Sequence, residues 1–305
     1  MDPNLHDIYA GLSGFVLGPE RAELGHGVVI SRTYAHFMAP FLMAFAPAAP
    51  GKAHPTPWKS AQGGFGIDIF AELYVPVGCN PDPLDQLNTV WWIAALLRLK
   101  ATTAVFVPVI SSERIASIPA IKQEPILRPM EIYTSRLYPD PSKTLSCIGD
   151  TELEWVRQHW QDGSLLLTNE DFSFAFQAID FSIWNSNPAL ALVSVWGALE
   201  RLFSPSHQEL SFRVSANIAA YLEAPRRERY KYFKHVRSLY DHRSKAAHGD
   251  GKSEVVPYVE SFAVARRVLT KMIEARHVPN KKELEARMFG DELGITEPNA
   301  GTSKN

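Results

Sequence analysis

The chain has 305 residues, too many for one ordinary domain and about right for two. Apolar residues make up 46% and charged residues 21%, a balance that excludes disorder for most of the chain. The formal charge of −2 shows no global basic excess of the kind that marks many nucleic-acid binders. Two cysteines, Cys79 and Cys147, exclude a disulfide framework and a four-thiolate zinc site. They are expected as buried free thiols in a reducing cytoplasm.

Met1-Asp2-Pro3 lacks the basic start and apolar run of a secretory signal. The apolar stretch Phe37 to Ala49 is too short to span a bilayer and contains Pro40 and Pro47. The expectation is a soluble, cytoplasmic protein with no membrane partner.

In chain order, Phe15 to Leu17 and Gly27 to Ile30 flank a Gly- and charge-rich turn, as in a hairpin. Residues 47–66 are rich in Pro, Gly and Ala and read as a long loop. Ile67 to Val77 alternates well enough for a half-buried strand. Pro83 opens a helix through Leu99 in which Leu84, Leu87, Trp91, Ala94 and Ala95 fall at helical spacing. Only Asp85 and Arg98 carry charge there, so the helix should be largely buried. Thr103 to Ile110 is a short apolar strand, and residues 138–150 read as loop.

From Thr151 the pattern turns helical. Capping-box pairs stand at Thr151/Glu154 and Ser206/Glu209, and Pro188 and Pro257 sit where helices begin. Helices are expected near 151–161, 169–185, 188–204, 207–223, 226–247 and 255–276. Leu210, Val214, Ile218 and Leu222 form one apolar stripe, and Tyr230, Phe233, Val236 and Tyr240 another. Short connections imply antiparallel packing. The fold class that follows is an α+β N-terminal domain (1–150) followed by an all-α helical bundle (151–280), with a disordered tail over 290–305. The tryptophans Trp91, Trp92, Trp155, Trp160, Trp184 and Trp196 are expected in the core or at interfaces.

No Walker loop, GxGxxG, HExxH, paired CxxC or GxSxG appears, and Gly63-Gly64-Phe65-Gly66 has loop composition. The ten histidines are scattered with no metal-ligand spacing. No cofactor and no metal are therefore expected. One segment stands out. Between Pro225 and His248, eight cationic side chains stand against Glu228 and Asp241, a local charge of +6 that leaves −8 for the rest of the chain. Arg227, Lys231, Lys234 and Lys245 fall close to one helical face and are expected to line it opposite Tyr230 and Phe233. Such a ridge suits a phosphate backbone, or is an ordinary solvated face.

The ridge ends in Tyr240-Asp241-His242-Arg243-Ser244-Lys245-Ala246-Ala247-His248-Gly249. The spacing of an Arg, four to six residues and a His occurs five times in the chain, and context selects Arg243/His248. That pair follows an aromatic, basic helix and precedes Gly249-Asp250-Gly251 and a long amphipathic helix. Here the sequence resembles the HEPN superfamily (higher eukaryotes and prokaryotes, nucleotide-binding), and within it the Apea-like branch. Val195 to Phe203 looks like the family's acidic helix and Arg213 to Ala216 like its next one. The resemblance covers roughly 165–280.

The resemblance implies a dimerising helical bundle in which two Arg/His pairs meet and cleave RNA without metal. Arg243 and His248 would be catalytic, with Ser244 standing where the family often has Asn. The ribose 2′-OH would attack the adjacent phosphate. His248 would accept or supply a proton, and Arg243 would hold the developing charge. Glu200 lies on an apolar stripe and needs a cation, either Arg243 or Arg213, which would make it a supporting residue. On one ideal helix, five residues turn by about 140° and rise roughly 7.5 Å. Arg243 and His248 converge only if the helix ends or bends between them, or if each pairs across a dimer. The expected partners are RNA, a second copy, and an antitoxin or trigger protein, in toxin or antiphage defence. The competing reading is a non-catalytic module that binds RNA, nucleotide or a protein partner and mediates dimerisation.

Overall fold

The computed structural model describes residues 6–79, 81–132, 145–204, 209–248 and 255–290, the side chain of His248 excepted. A mixed α/β region comes first and a mostly helical region follows. The strands are β1 (Ile8–Ser13), β2 (Phe15–Leu17), β3 (Arg21–Gly25), β4 (Val28–Ala44), β5 (Trp58–Val75), β6 (Phe106–Ser111), β7 (Leu127–Pro129) and β8 (Ser146–Ile148). The helices are α1 (Gln86–Lys100), α2 (Asp150–Ser164), α3 (Glu170–Ser182), α4 (Pro188–Phe203), α5 (Leu210–Leu222), α6 (Arg227–His248), α7 (Val255–Ala275) and α8 (Lys281–Met288).

Six strands form one sheet in the order β3-β4-β5-β1-β6-β7, each neighbour antiparallel. The hairpin expected between 15–17 and 27–30 does not form: the strand paired with β4 is β3, which lies inside the expected turn, and β2 leaves the sheet to pair in parallel with β8. Residues 58–66, expected as loop, are strand. They pair with the outer part of β4, from Met38↔Gly66 to Ala44↔Trp58. Glycine conceals this strand because it serves a bulge. The register shifts between Pro40 and Phe41, opposite Gly64 and Ala61. Gly64 has φ 130°, and a Cβ there would meet the Ala39 carbonyl oxygen at 2.4 Å. The result is a two-stranded ribbon whose Met38, Phe41, Leu42, Met43 and Trp58 are exposed.

Helix α1 is the centre of the molecule. Asp85 caps it by accepting from the Asn88 N–H at 2.7 Å, and ten of its side chains from Thr89 to Leu99 are buried. The sheet covers one side through Leu12, Ile30, Leu73 and Val75, and the helical region covers the other. Trp92 packs on Phe176 of α3 with ring centroids 4.6 Å apart. Trp92 Nε1 donates to the Trp160 carbonyl at 2.6 Å, and Trp160 Nε1 donates to the Leu24 carbonyl at 2.7 Å. One hydrophobic core thus runs from the sheet to α8. Arg98 is 2% exposed. Its guanidinium donates to both carboxylate oxygens of Asp180 at 2.7 and 2.9 Å and reaches Glu131 at 3.4 Å.

The helical region keeps the expected order with shifted ends. Helix α2 is capped at Gly149, whose N–H donates to Glu152 at 3.1 Å, so the expected Thr151/Glu154 box is not the one used. Ser206 and the tail beyond 290 lie outside the described residues. Asn187 caps α4 with Pro188 in the first turn. The short, charged α8 was not expected, because its only buried side chain is Leu284. Trp92, Trp160 and Trp196 are fully buried, and both cysteines are free, but Cys147 is exposed and only Cys79 is buried. No described helix is long and apolar enough to cross a membrane.

Candidate nucleic-acid interface

On α6, Val236, Leu239 and Tyr240 point into the core, and Arg243 continues that inward stripe at i+3 and i+4 from the last two. It arrives opposite α4, where Glu200 follows buried Trp196 by one turn. Arg243 Nη2 stands 3.0 Å from one carboxylate oxygen of Glu200 and 3.2 Å from the other. Both side chains are mostly buried. Tyr240 completes the group: the guanidinium lies 5.5 Å from its ring centre, and Trp196 meets the ring edge-on at 5.1 Å. Burial, followed by the charge of Glu200 and a hydrogen bond to it, pushes the Tyr240 phenol up to about 12. Arg243 Nε is buried and makes no hydrogen bond among the described residues.

Arg213, the other cation weighed for Glu200, stands instead 4.0 Å from Glu209. Ser244 is half-buried beside Arg243. His248 closes α6, and its side chain lies outside the described residues. The helix runs from 227 to 248, so it does not end between Arg243 and His248. Their positions are therefore about 140° apart around the axis and roughly 7.5 Å apart along it.

The outer face of α6 is cationic. Arg227, Lys231, Lys234, Arg237 and Lys245 are all exposed. Lys231 pairs with Glu228 at 2.8 Å, while Arg227, Arg237 and Lys245 form no ion pair among the described residues. Positions 227, 234 and 245 lie within about 20° of one another on the helix, and 231 lies about 40° from them. Arg243 lies about 160° from position 227. The structure therefore unites the proposed RNA-binding set on one face but puts the Arg243–Glu200 pair on the opposite one.

One expectation is corrected here. Tyr230 does not oppose the ridge but belongs to it. It is 62% exposed, and Lys234 Nζ sits 4.9 Å from its ring centre. The reason is helical phase: position 230 falls between 234 and 237 on the projection. Phe233 turns towards α5 and meets Phe212 edge-on at 5.5 Å. Sequence reading missed Phe212 and Phe289 as neighbours of this face. The available signal was the pair Tyr230 and Phe233 interleaved with cations.

No three His, Cys, Asp or Glu side chains cluster to hold a metal among the described residues. In comparisons with protein-family models, curated proteins and solved structures, nothing matches the chain.

Proposed function

We propose that this protein is a metal-independent endoribonuclease of the HEPN type, acting as a homodimer. The observation that carries the reading is the exposed cationic face of α6, on a helix whose opposite face carries Arg243 held in place by Glu200. The ridge would draw RNA by neutralising phosphates. Arg243, oriented by Glu200 and Tyr240, would bind the scissile phosphate and its developing charge. His248, from the facing copy, would take the proton of the ribose 2′-OH. The 2′-oxygen would form its bond to phosphorus as the bond to the 5′-oxygen breaks. The leaving oxygen would take a proton from that histidine, protonated in the first step. A dimer answers the geometry of the helix, since neighbouring copies bring together positions that one chain holds apart.

The test is incubation of the full chain with mixed RNA in EDTA, alongside Arg243→Ala and His248→Ala. Cleavage that survives EDTA and disappears in both variants supports the reading, and cleavage by the variants at the wild-type rate overturns it. A second reading, a binding module without catalysis, is favoured by the compensation of Arg243 by Glu200. It predicts intact RNA bound with salt-sensitive affinity.

A further inference from the structure

A groove opens at the start of α6, at the other end of the ridge from Arg243. Its volume is about 510 Å³, within the range of small-molecule sites. Its walls come from α5, α6 and the residues after α8, and its lining includes Phe212, Tyr230, Phe233, Phe289, Arg226 and Arg229. No acidic residue lines it among the described residues. Phe289 is 78% exposed and Phe212 45%. Leaving such rings in water is unfavourable. The Tyr230 and Phe233 rings are near-parallel at 22° with centroids 6.3 Å apart.

The surroundings identify the occupant by charge. Tyr230 sits in the cationic stripe itself, one turn from Lys234 and two from Arg237, with Arg227 one turn before it. Rings alternating with cations that form no ion pair among the described residues suit a chain that carries both π-faces and phosphates. We propose that this groove is a stacking platform for the unpaired bases of single-stranded RNA, with the phosphates running along Arg227, Lys234 and Arg237. This deepens the proposed function and rests on its claim that the ridge binds RNA. It places base recognition roughly 20 Å along the helix from Arg243. The platform would thus hold a flank of the strand rather than the cleaved bond. A stacking site of this kind tolerates sequence but requires unpaired bases.

The experiment measures fluorescence anisotropy of labelled oligouridylate, oligoadenylate and an RNA duplex on the full chain. It uses wild type, Tyr230→Ala, Phe289→Ala and Tyr230→Phe. Both alanine sites are exposed, so the variants should fold, as circular dichroism checks. Each alanine variant is expected to weaken single-strand binding by about 5- to 100-fold, with the salt dependence and duplex binding unchanged. Tyr230→Phe should bind as wild type does. If both alanine variants keep wild-type affinity for single strands while Lys234→Glu with Arg237→Glu loses it, the platform is overturned and the ridge reading stands. If the ring variants weaken binding but Arg243→Ala and His248→Ala still cleave, the platform stands and the catalytic reading falls. A wild-type chain that binds no RNA, or a groove that takes a protein helix instead, overturns the platform.

Discussion

Arg243 and Glu200, 43 residues apart in the sequence, meet at 3.0 Å across the α4–α6 contact. The pair decides which way Arg243 points. Removing either partner leaves the other charge mostly buried. Arg243→Ala and Glu200→Ala should each cost about 1–3 kcal/mol of stability. The double variant should cost less than their sum, with a coupling of about 0.5–3 kcal/mol. Urea denaturation of the four proteins measures this, and strict additivity would remove the pair from any positioning role.

Separation of positions 243 and 248 around one helix makes a second prediction. If each site takes Arg243 from one copy and His248 from the other, mixing the inactive Arg243→Ala and His248→Ala proteins should restore activity. Random pairing would restore about a quarter of the wild-type rate. Cleavage kinetics of the refolded mixture are the measurement. No restoration argues that both residues of a pair act from one copy or that both histidines are needed.

Glu72 gives a pH prediction. It is buried on β5, accepts the Ile115 N–H at 2.6 Å and lies 3.7 Å from Arg114. Burial outweighs these contacts and raises its carboxyl above the ordinary 4.5. A raised carboxyl pKa means that the folded state favours the protonated form. The stabilising contribution is present below the unfolded value and is lost as pH rises through the folded one. Glu72→Gln should therefore be more stable than wild type near pH 7, and this advantage should vanish near pH 4. Urea midpoints at the two pH values test it, and a less stable Gln variant near neutrality would contradict the sign.

The ribbon makes a fourth prediction. Beyond Phe37 and Ile67, β4 and β5 pair only with each other among the described residues, and their large side chains apart from the half-buried Phe65 are exposed. Replacing residues 41–63 with a tight Asn-Gly turn should change stability by less than about 1 kcal/mol. Thermal melts check this, and a collapse of the fold would mean that the ribbon braces the sheet.

The helices were legible in the sequence because burial there follows a 3.6-residue period. Val214 and Ile218 of the expected stripe are buried, with Leu210 and Leu222 half-buried at its ends. The outer ribbon was not legible, since a strand exposed on both faces has no apolar alternation and its bulge needs glycine. The contact of Arg243 with Glu200 was readable as one of two alternatives, because a carboxylate among apolar neighbours demands a cation. The placement of Tyr230 was not, because the stripe of Tyr230, Phe233, Val236 and Tyr240 drifts around the axis. Its first member leaves the core before its last enters it.

Arg98 has a mechanical meaning. The sheet and the helical region can slide past one another only if the buried guanidinium leaves the carboxylates of Asp180 and Glu131, a cost of about 3–5 kcal/mol. A trigger felt by the N-terminal region would not swing it on a hinge. It would have to reach α6 as strain transmitted through α1, or act by changing how whole molecules associate.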